Sequence, residues 1–171
     1  MIKIKVSNLS NGKYEYDFEG KIDEIDVSDP YVGDFRTKVV LTKFDNQIIL
    51  DSSTDIDADL VCDRCNKEFN RVITSNYRMI YLFGQDTQNS GNEKMDVVYL
   101  HPDNDKIDLS NDVRDYSLLA IPMKKLCSED CKGLCSKCGK NLNDGPCNCK
   151  DEETDPRWEQ LKELKIKNNL N

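Results

Sequence analysis

The sequence predicts an α+β fold that is mainly β. It contains an antiparallel sheet or a partly open barrel with one or two helices, and it ends in a cysteine-rich module. Residues 1–100 consist largely of short segments with alternating or β-branched side chains, which are typical of strands. A segment near residues 108–121 repeats its apolar positions at helical spacing. Six of the eight cysteines lie between Cys127 and Cys149.

Turn signals separate the strand segments. Asn11-Gly12 predicts a hairpin between the first two, and Asp45-Asn46 separates the next pair. Residues 23–35 are acidic and are interrupted by Asp29-Pro30 and Gly33, so we expect a loop or an irregular edge there. We also expect a loop over the polar residues 84–94. The predicted strands are 3–7, 13–19, 37–44, 47–50, 54–62 and 69–83 (one strand or two), with a short apolar segment at 95–100.

Two helices are expected. The first covers residues 108–121, can be capped by Asp108 or Ser110, and is ended by Pro122. The second begins at Asp155-Pro156, a cap followed by a first-turn proline. Its apolar stripe is of the kind that usually docks on its own domain. The stripe consists of Trp158, Leu161 and Leu164.

Composition limits the classes of protein to consider. The chain has 171 residues, 33% of them charged, with a mean hydropathy of −0.69 and a formal net charge of −8. No segment approaches the roughly 18 apolar residues that cross a bilayer, and residues 1–6 lack the apolar core of a signal peptide. We therefore expect a cytoplasmic protein that does not associate with membranes. The negative charge argues against binding nucleic acid through overall electrostatics.

The cysteines are spaced as metal ligands. Cys62-Asp-Arg-Cys65 and Cys135-Ser-Lys-Cys138 are CxxC pairs, and eight thiols make two of the four-thiolate sets that structural zinc takes. The residue after such a pair is often driven to positive φ, which Asn66 and Gly139 tolerate. Disulfides are the weaker alternative because they are rare in a reducing cytosol. Thiol redox chemistry calls for a CxxC at a helix start in a βαβ setting, which neither pair has.

We assign the thiols to two zinc ions with four cysteine ligands each. One site is compact, because only residues 139–146 separate its two pairs; its ligands are Cys135, Cys138, Cys147 and Cys149. The other site closes a loop of about sixty residues, where a cross-link removes much unfolded-state entropy. Its ligands are Cys62, Cys65, Cys127 and Cys131.

These assignments divide the chain into three parts. Residues 1–126 form a β-rich domain with the helix near 108–121. Residues 127–150 form a four-cysteine zinc module packed on that domain. Residues 151–171 form the C-terminal helix and tail.

Basic residues concentrate around the cysteines, in windows 60–80 and 122–150, whereas the rest of the chain is acidic. They can offset the charge of the sites themselves, since zinc with four thiolates is a dianion. Alternatively, they form a phosphate-facing surface. We call its five candidate contacts the basic patch: Arg64, Lys124, Lys125, Lys132 and Lys137.

Nothing in the sequence predicts catalysis. The single histidine, His101, has no H-x-E or H-E-x-x-H context and is expected to be an ordinary loop residue. Serine hydrolase, kinase and dinucleotide-binding signatures are absent from the sequence. We therefore expect a non-enzymatic protein without a small-molecule substrate.

The motifs follow one another in a distinctive order: Cys62-Asp-Arg-Cys65, Ile107-Asp-Leu109, Leu118-Leu-Ala-Ile-Pro122, Cys127, Cys131-Lys-Gly-Leu-Cys135-Ser-Lys-Cys138-Gly-Lys-Asn-Leu-Asn143, Cys147-Asn-Cys149, Asp155-Pro-Arg157, Leu161 and Leu164. This order resembles the YceD family, the large-ribosomal-RNA-subunit accumulation proteins of bacteria and plastids. The resemblance covers about residues 55–166. Some members keep the CxRC pair and a later Cys or His pair without the segment 135–149, which implies the same division into two sites.

The resemblance implies a role in making or stabilising the RNA of the large ribosomal subunit. The implied partners are large-subunit rRNA or pre-ribosomal proteins, and the basic patch would be the tentative RNA contact. No catalytic residues are implied. Two alternatives remain open at this point: a zinc-stabilised protein–protein adaptor unrelated to ribosomes, and a thiol oxidoreductase.

Overall fold

A computed structural model describes residues 2–84, 97–101 and 103–149. The predicted polar loop beyond Gly84 and the predicted C-terminal helix therefore lie outside the described residues. So does the start of the apolar segment at 95–100.

A five-stranded sheet forms most of the described chain, with strand order β2-β3-β4-β5-β6. The first four of these strands are antiparallel, and β6 runs parallel to β5. A separate two-stranded sheet pairs β1 with β7. The strands are β1 Lys3–Lys5, β2 Gly12–Lys21, β3 Tyr31–Phe44, β4 Gln47–Val61, β5 Glu68–Phe83, β6 Val97–Leu100 and β7 Lys106–Asp108. The helix α1 spans Ser110–Leu119, and two 3₁₀ turns span Ile22–Ile25 and Leu142–Asp144. This open sheet confirms the predicted mainly β, α+β class.

The large sheet is buried on one face because apolar and polar residues alternate along its strands. In β4 every second residue from Ile48 to Leu60 is buried. The opposite face is charged, and Arg78 there makes a two-pronged ion pair with Asp51, with N–O distances of 2.6 and 3.1 Å. The inner face therefore supplies the core, and the outer face meets solvent.

Helix α1 packs on the inner face. Val113 and Ser117 are buried, and the Tyr116 ring stacks on Tyr77 of β5 with centroids 4.5 Å apart. The Tyr31 hydroxyl donates to the Ser117 carbonyl, which ties the start of β3 to the helix. No helix in the described part of the chain is long and apolar enough to cross a membrane.

Several local predictions need correction. Asn11-Gly12 does not join a hairpin of the first two strands, because β1 pairs with β7 and β2 pairs with β3. The predicted strands 47–50 and 54–62 form one continuous strand, β4. Residues 31–35, predicted as a loop or an irregular edge, belong to β3, an inner strand whose register shifts between Val32 and Phe35. The positive φ of 78° at Gly33 forms this bulge, which brings Phe35 into the core. The cap of α1 also differs, because the Ser110 hydroxyl accepts from the Ile2 amide at 2.9 Å. Asp108 accepts from the Ser110 amide at 3.1 Å, although the residue preceding the helix is Leu109.

Candidate metal centre

The turn between β4 and β5 carries the first cysteine pair. The Cys62 amide donates to the Lys67 carbonyl at 2.9 Å, and the Asn66 amide donates to the Cys62 carbonyl at 2.9 Å. Asn66 has a φ of 56°, which confirms the expected positive φ. Cys62 and Cys65 are both buried. The two longest paired strands of the sheet therefore hold this pair of thiols in a tight reversal.

The second pair has the same backbone geometry in a different sequence. The Cys135 amide donates to the Lys140 carbonyl at 2.8 Å, and the Gly139 amide donates to the Cys135 carbonyl at 2.9 Å. Gly139 has a φ of 71°, again as expected. The two turns are therefore knuckles of one type, each closed by the same two hydrogen bonds.

Asp63 and Arg64, the two residues between Cys62 and Cys65, hold the segment after α1 against the first knuckle. Asp63 exchanges two hydrogen bonds with Lys125, one through its carboxylate at 2.6 Å and one through its amide at 2.8 Å. The Arg64 guanidinium donates to the carbonyls of Cys131 at 2.8 Å and Glu129 at 3.2 Å. These contacts bring Cys127 and Cys131 to Cys62 and Cys65.

The eight cysteines form two groups of four, each with its sulfur atoms within 4.8 Å of one another. We call them the sheet site (Cys62, Cys65, Cys127 and Cys131) and the loop site (Cys135, Cys138, Cys147 and Cys149). They are the same two sets that the spacing predicted. The structure therefore contains two groups that could each hold a metal ion.

The sulfur distances fit a tetrahedral metal ion. Sγ atoms lie 3.8 Å apart between Cys62 and Cys131 and 3.6 Å apart between Cys65 and Cys127. In the loop site, the Cys135 and Cys147 sulfurs are 3.4 Å apart. A tetrahedron with zinc–sulfur bonds of about 2.3 Å has edges of about 3.8 Å. A disulfide would require about 2.05 Å. The four-thiol sets thus fit zinc, and the described cysteines are not arranged as disulfides.

The thiols within a group do not ionise alike. In the loop site, backbone amides, first that of Cys138, lower the pKa of Cys135 to about 6. The neighbouring Cys138 side chain raises the pKa of Cys149 to about 12. In the sheet site, the Asn143 side-chain amide is the main cause of a lowered pKa at Cys131. Because neighbouring thiolates repel one another, a bound cation is needed before all four sulfurs can be anionic.

The two sites are adjacent, since only three residues separate Cys131 from Cys135. Among them, Gly133 is buried and has a φ of 76°. Its carbonyl accepts from the Leu142 amide at 2.9 Å, and the Leu134 amide donates to the Arg64 carbonyl at 3.1 Å. A Cβ atom at Gly133 would lie 3.0 Å from that same carbonyl oxygen. We call residues 132–134 the linker, and this linker packs directly against the knuckle of the sheet site.

The basic patch lies on the segments that the two sites hold in place. Lys124, Lys132 and Lys137 are exposed, and Lys125 is half-buried. Arg64 differs from them because its guanidinium clamps the backbone between Cys127 and Cys131. This structural role of Arg64 was not predicted from the sequence, and neither was a role for Asn143. The only sequence features that pointed to these two residues were the position of Arg64 inside a CxxC and that of Asn143 at the end of a specific motif. His101 lies exposed in a loop, as expected.

Comparison with known proteins identifies the family. Residues 50–165 match the family described as "Large ribosomal RNA subunit accumulation protein YceD". The chain belongs to this family. No solved structure matches it.

Curated relatives share parts of the chain. An Arabidopsis thaliana protein named "Large ribosomal RNA subunit accumulation protein YCED homolog 1, chloroplastic" is 29% identical in an alignment 130 residues long; the match covers 62% of this chain and 40% of the relative. A Zea mays protein of the same name is 47% identical over 46 residues, 26% of this chain and 16% of the relative. An uncharacterized Mycobacterium bovis protein is 40% identical over 58 residues, 34% of this chain and 28% of the relative. The chain thus spans less than half the length of these relatives.

Proposed function

We propose that this chain is a non-enzymatic, zinc-binding factor in ribosome biogenesis that supports the accumulation of large-subunit rRNA by binding that RNA. The family name supports the ribosomal role. The observation that carries the RNA-binding part is the position of the basic patch. Its exposed lysines lie on or next to the segments that contain two adjacent four-cysteine groups.

The cysteine groups support a structural role for the metal. Four thiols occupy every position of a tetrahedral ion, so no position is open for a water or a substrate. When bound, zinc would fix the two knuckles and the segments between them. The knuckles would then present the patch lysines at set positions.

The distribution of charge favours a local RNA contact at this end of the molecule. Acidic residues recur on the outer face of β4, at Asp55, Asp57 and Asp59, and they would repel a phosphate backbone. The lysines of the patch are the cationic alternative. With a net charge of −8 on the whole chain, such binding has to be confined to the patch and sensitive to salt.

The test replaces three exposed patch lysines, Lys124, Lys132 and Lys137, with Gln in one variant. Arg64 is left unchanged because its loss would also release the clamp on the sheet site. The matched control carries the same charge change outside the cysteine windows, at Lys5, Lys38 and Lys106, which are also exposed. Both variants are compared with the wild type for binding to large-subunit rRNA over a series of salt concentrations.

We expect the patch variant to bind the RNA more weakly than the wild type, and the difference in affinity to shrink as the salt concentration rises. The negative slope of log K against log salt should become less steep by about 2 to 3 if three phosphate contacts are lost. The control variant should match the wild type in affinity and slope. Equal behaviour of the patch and control variants would contradict an RNA contact at the patch.

A protein partner is the second candidate, and one observation favours it. Leu119 and Met123, at and just after the end of α1, have exposed fractions of 79% and 104%. Large exposed apolar side chains close together often mark a protein-binding surface. Replacing both with Ser should then reduce capture of the partner without changing the salt dependence of RNA binding. An adaptor unrelated to ribosomes would leave the ribosome profile unchanged when the protein is removed.

A further inference from the structure

The side chain of Asn143 crosses from one cysteine group to the other. In sequence, Asn143 lies between the two cysteine pairs of the loop site, within the 3₁₀ turn Leu142–Asp144. Its Nδ2 atom nevertheless donates to the Sγ atom of Cys131, a ligand of the sheet site, at 3.3 Å. The loop of one site therefore supplies a hydrogen bond to a sulfur atom of the other.

The orientation of this amide is determined by its remaining contacts. Its Oδ1 atom accepts from the Lys132 amide at 2.8 Å, so the Nδ2 atom has to face the sulfur. Nδ2 also donates to Asn141 Oδ1 at 2.8 Å, and the Asn143 backbone amide donates to the same oxygen at 3.0 Å. Asn141 thus holds the turn that presents Asn143.

The backbone links the two sites in the same place. The Leu134 amide donates to the Arg64 carbonyl in the knuckle of the sheet site, and the Leu142 amide donates to Gly133. A Cβ atom at Gly133 would be crowded against the Arg64 carbonyl oxygen, at 3.0 Å. Any movement of the turn that carries Asn143 would therefore change contacts at both sites.

We propose that the two sites bind metal as a coupled pair, and that Asn143 is the positioning residue through which an ordered loop site strengthens metal binding at the sheet site. This inference rests on the metal-binding part of the proposed function. A donor to a ligating sulfur stabilises the charge that metal binding requires, and loss of such an outer contact typically lowers affinity by about 10- to 100-fold. Because binding free energies are reciprocal, metal at the sheet site must equally favour metal at the loop site.

The test uses ¹¹³Cd²⁺ as the probe and competition with a chelator, because NMR gives each bound cadmium its own resonance. Cys147→Ser with Cys149→Ser removes the loop site and so assigns the resonance of the sheet site. Asn143→Ala removes the donor to Cys131. Asn148→Ala is the matched control, since Asn148 is an exposed asparagine between Cys147 and Cys149 of the loop site. Asn143→Asp keeps the acceptor for Lys132 but removes the donor, and far-UV circular dichroism checks the fold of every variant.

In the intact chain we expect Asn143→Ala and Asn143→Asp to lower cadmium affinity at the sheet site by about tenfold or more and to shift its resonance. Asn148→Ala should leave both unchanged. Removing the loop site should also lower the cadmium affinity of the sheet site. Adding Asn143→Ala to that variant should lower this affinity little further.

Unchanged sheet-site affinity in both Asn143 variants would overturn the proposal. So would an Asn143→Ala effect that is equally large with and without the loop site. Chains that bind no cadmium at all would overturn both this inference and the metal-binding part of the proposed function. Two occupied but independent sites would overturn only the coupling.

Discussion

Gly133 offers a sharp test of how closely the two cysteine groups are packed. It lies between Cys131 and Cys135, it is buried, and its φ is 76°. We predict that Gly133→Ala destabilises the metal-loaded protein substantially. Gly139→Ala is the matched control, because Gly139 has almost the same φ, 71°, but no atom within 4 Å of where a Cβ would stand.

The expected magnitude has two parts. A left-handed conformation costs a residue with a side chain about 1–2 kcal/mol, and both variants incur this. Only Gly133→Ala also places a Cβ 3.0 Å from the Arg64 carbonyl oxygen. That oxygen cannot easily move, because it accepts from the Leu134 amide within the linker. Crowding of this kind costs about 1–3 kcal/mol more. The change in unfolded-chain entropy is the same in both variants and cancels in their difference.

The assay is urea unfolding of the two variants and the wild type at one fixed metal concentration, followed by far-UV circular dichroism. We expect the free energy of unfolding to fall about 1–3 kcal/mol further for Gly133→Ala than for Gly139→Ala. Metal released during unfolding, followed with a chromophoric chelator, should appear at lower urea for Gly133→Ala. Equal losses in the two variants, or a larger loss for Gly139→Ala, would refute the close packing of the linker on the sheet-site knuckle.

Three further predictions concern the metal sites and the core. Elemental analysis of protein purified without chelator should find two zinc ions per chain, whereas a value near zero with disulfides in the mass spectrum would exclude the metal assignment. Cys62→Ser should lower the melting temperature of the whole described domain because it joins distant segments, while Cys147→Ser should mainly increase hydrogen exchange in residues 131–149; equal global unfolding would contradict this difference. Burial is the main cause of the raised pKa of Asp112, so the native state holds that proton more tightly than the unfolded state and loses stability as pH rises through this pKa. Asp112→Asn should therefore raise the melting temperature at pH 7, and the difference in melting temperature from the wild type should narrow toward pH 4. A difference that does not depend on pH would contradict this prediction.

The knuckles could be predicted from the sequence because their geometry is local. The two CxxC spacings, with Asn66 and Gly139 at positive φ, are properties of six-residue turns, and the structure confirms both φ values. The alternation along residues 54–62 likewise predicted a strand, since a one-sided sheet imposes period 2 on its residues, and the β-branched and aromatic residues of 69–83 predicted the next one. The grouping of the cysteines followed from the short separation of the pairs in the loop site.

The contacts of Arg64 and Asn143 could not be predicted in the same way, because they depend on how separate turns of the chain pack together. Nothing local in the sequence indicated that the Arg64 guanidinium donates to the carbonyl of Cys131, 67 residues further along the chain. Nothing in the sequence around Asn143 indicated which sulfur atom its side chain would contact. The strand at Tyr31 was missed because Gly33 signalled a break, and the structure uses that glycine for a bulge within β3 instead. Such choices are decided by packing against the rest of the core.

The proposed role in ribosome biogenesis is tested most directly by the amount of large-subunit rRNA in cells with and without this protein. The ratio of large-subunit to small-subunit rRNA should fall when the protein is removed. It should recover with the wild-type chain but not with a chain in which Cys62 and Cys65 are both Ser. A ratio that does not change on removal of the protein would contradict the proposed function.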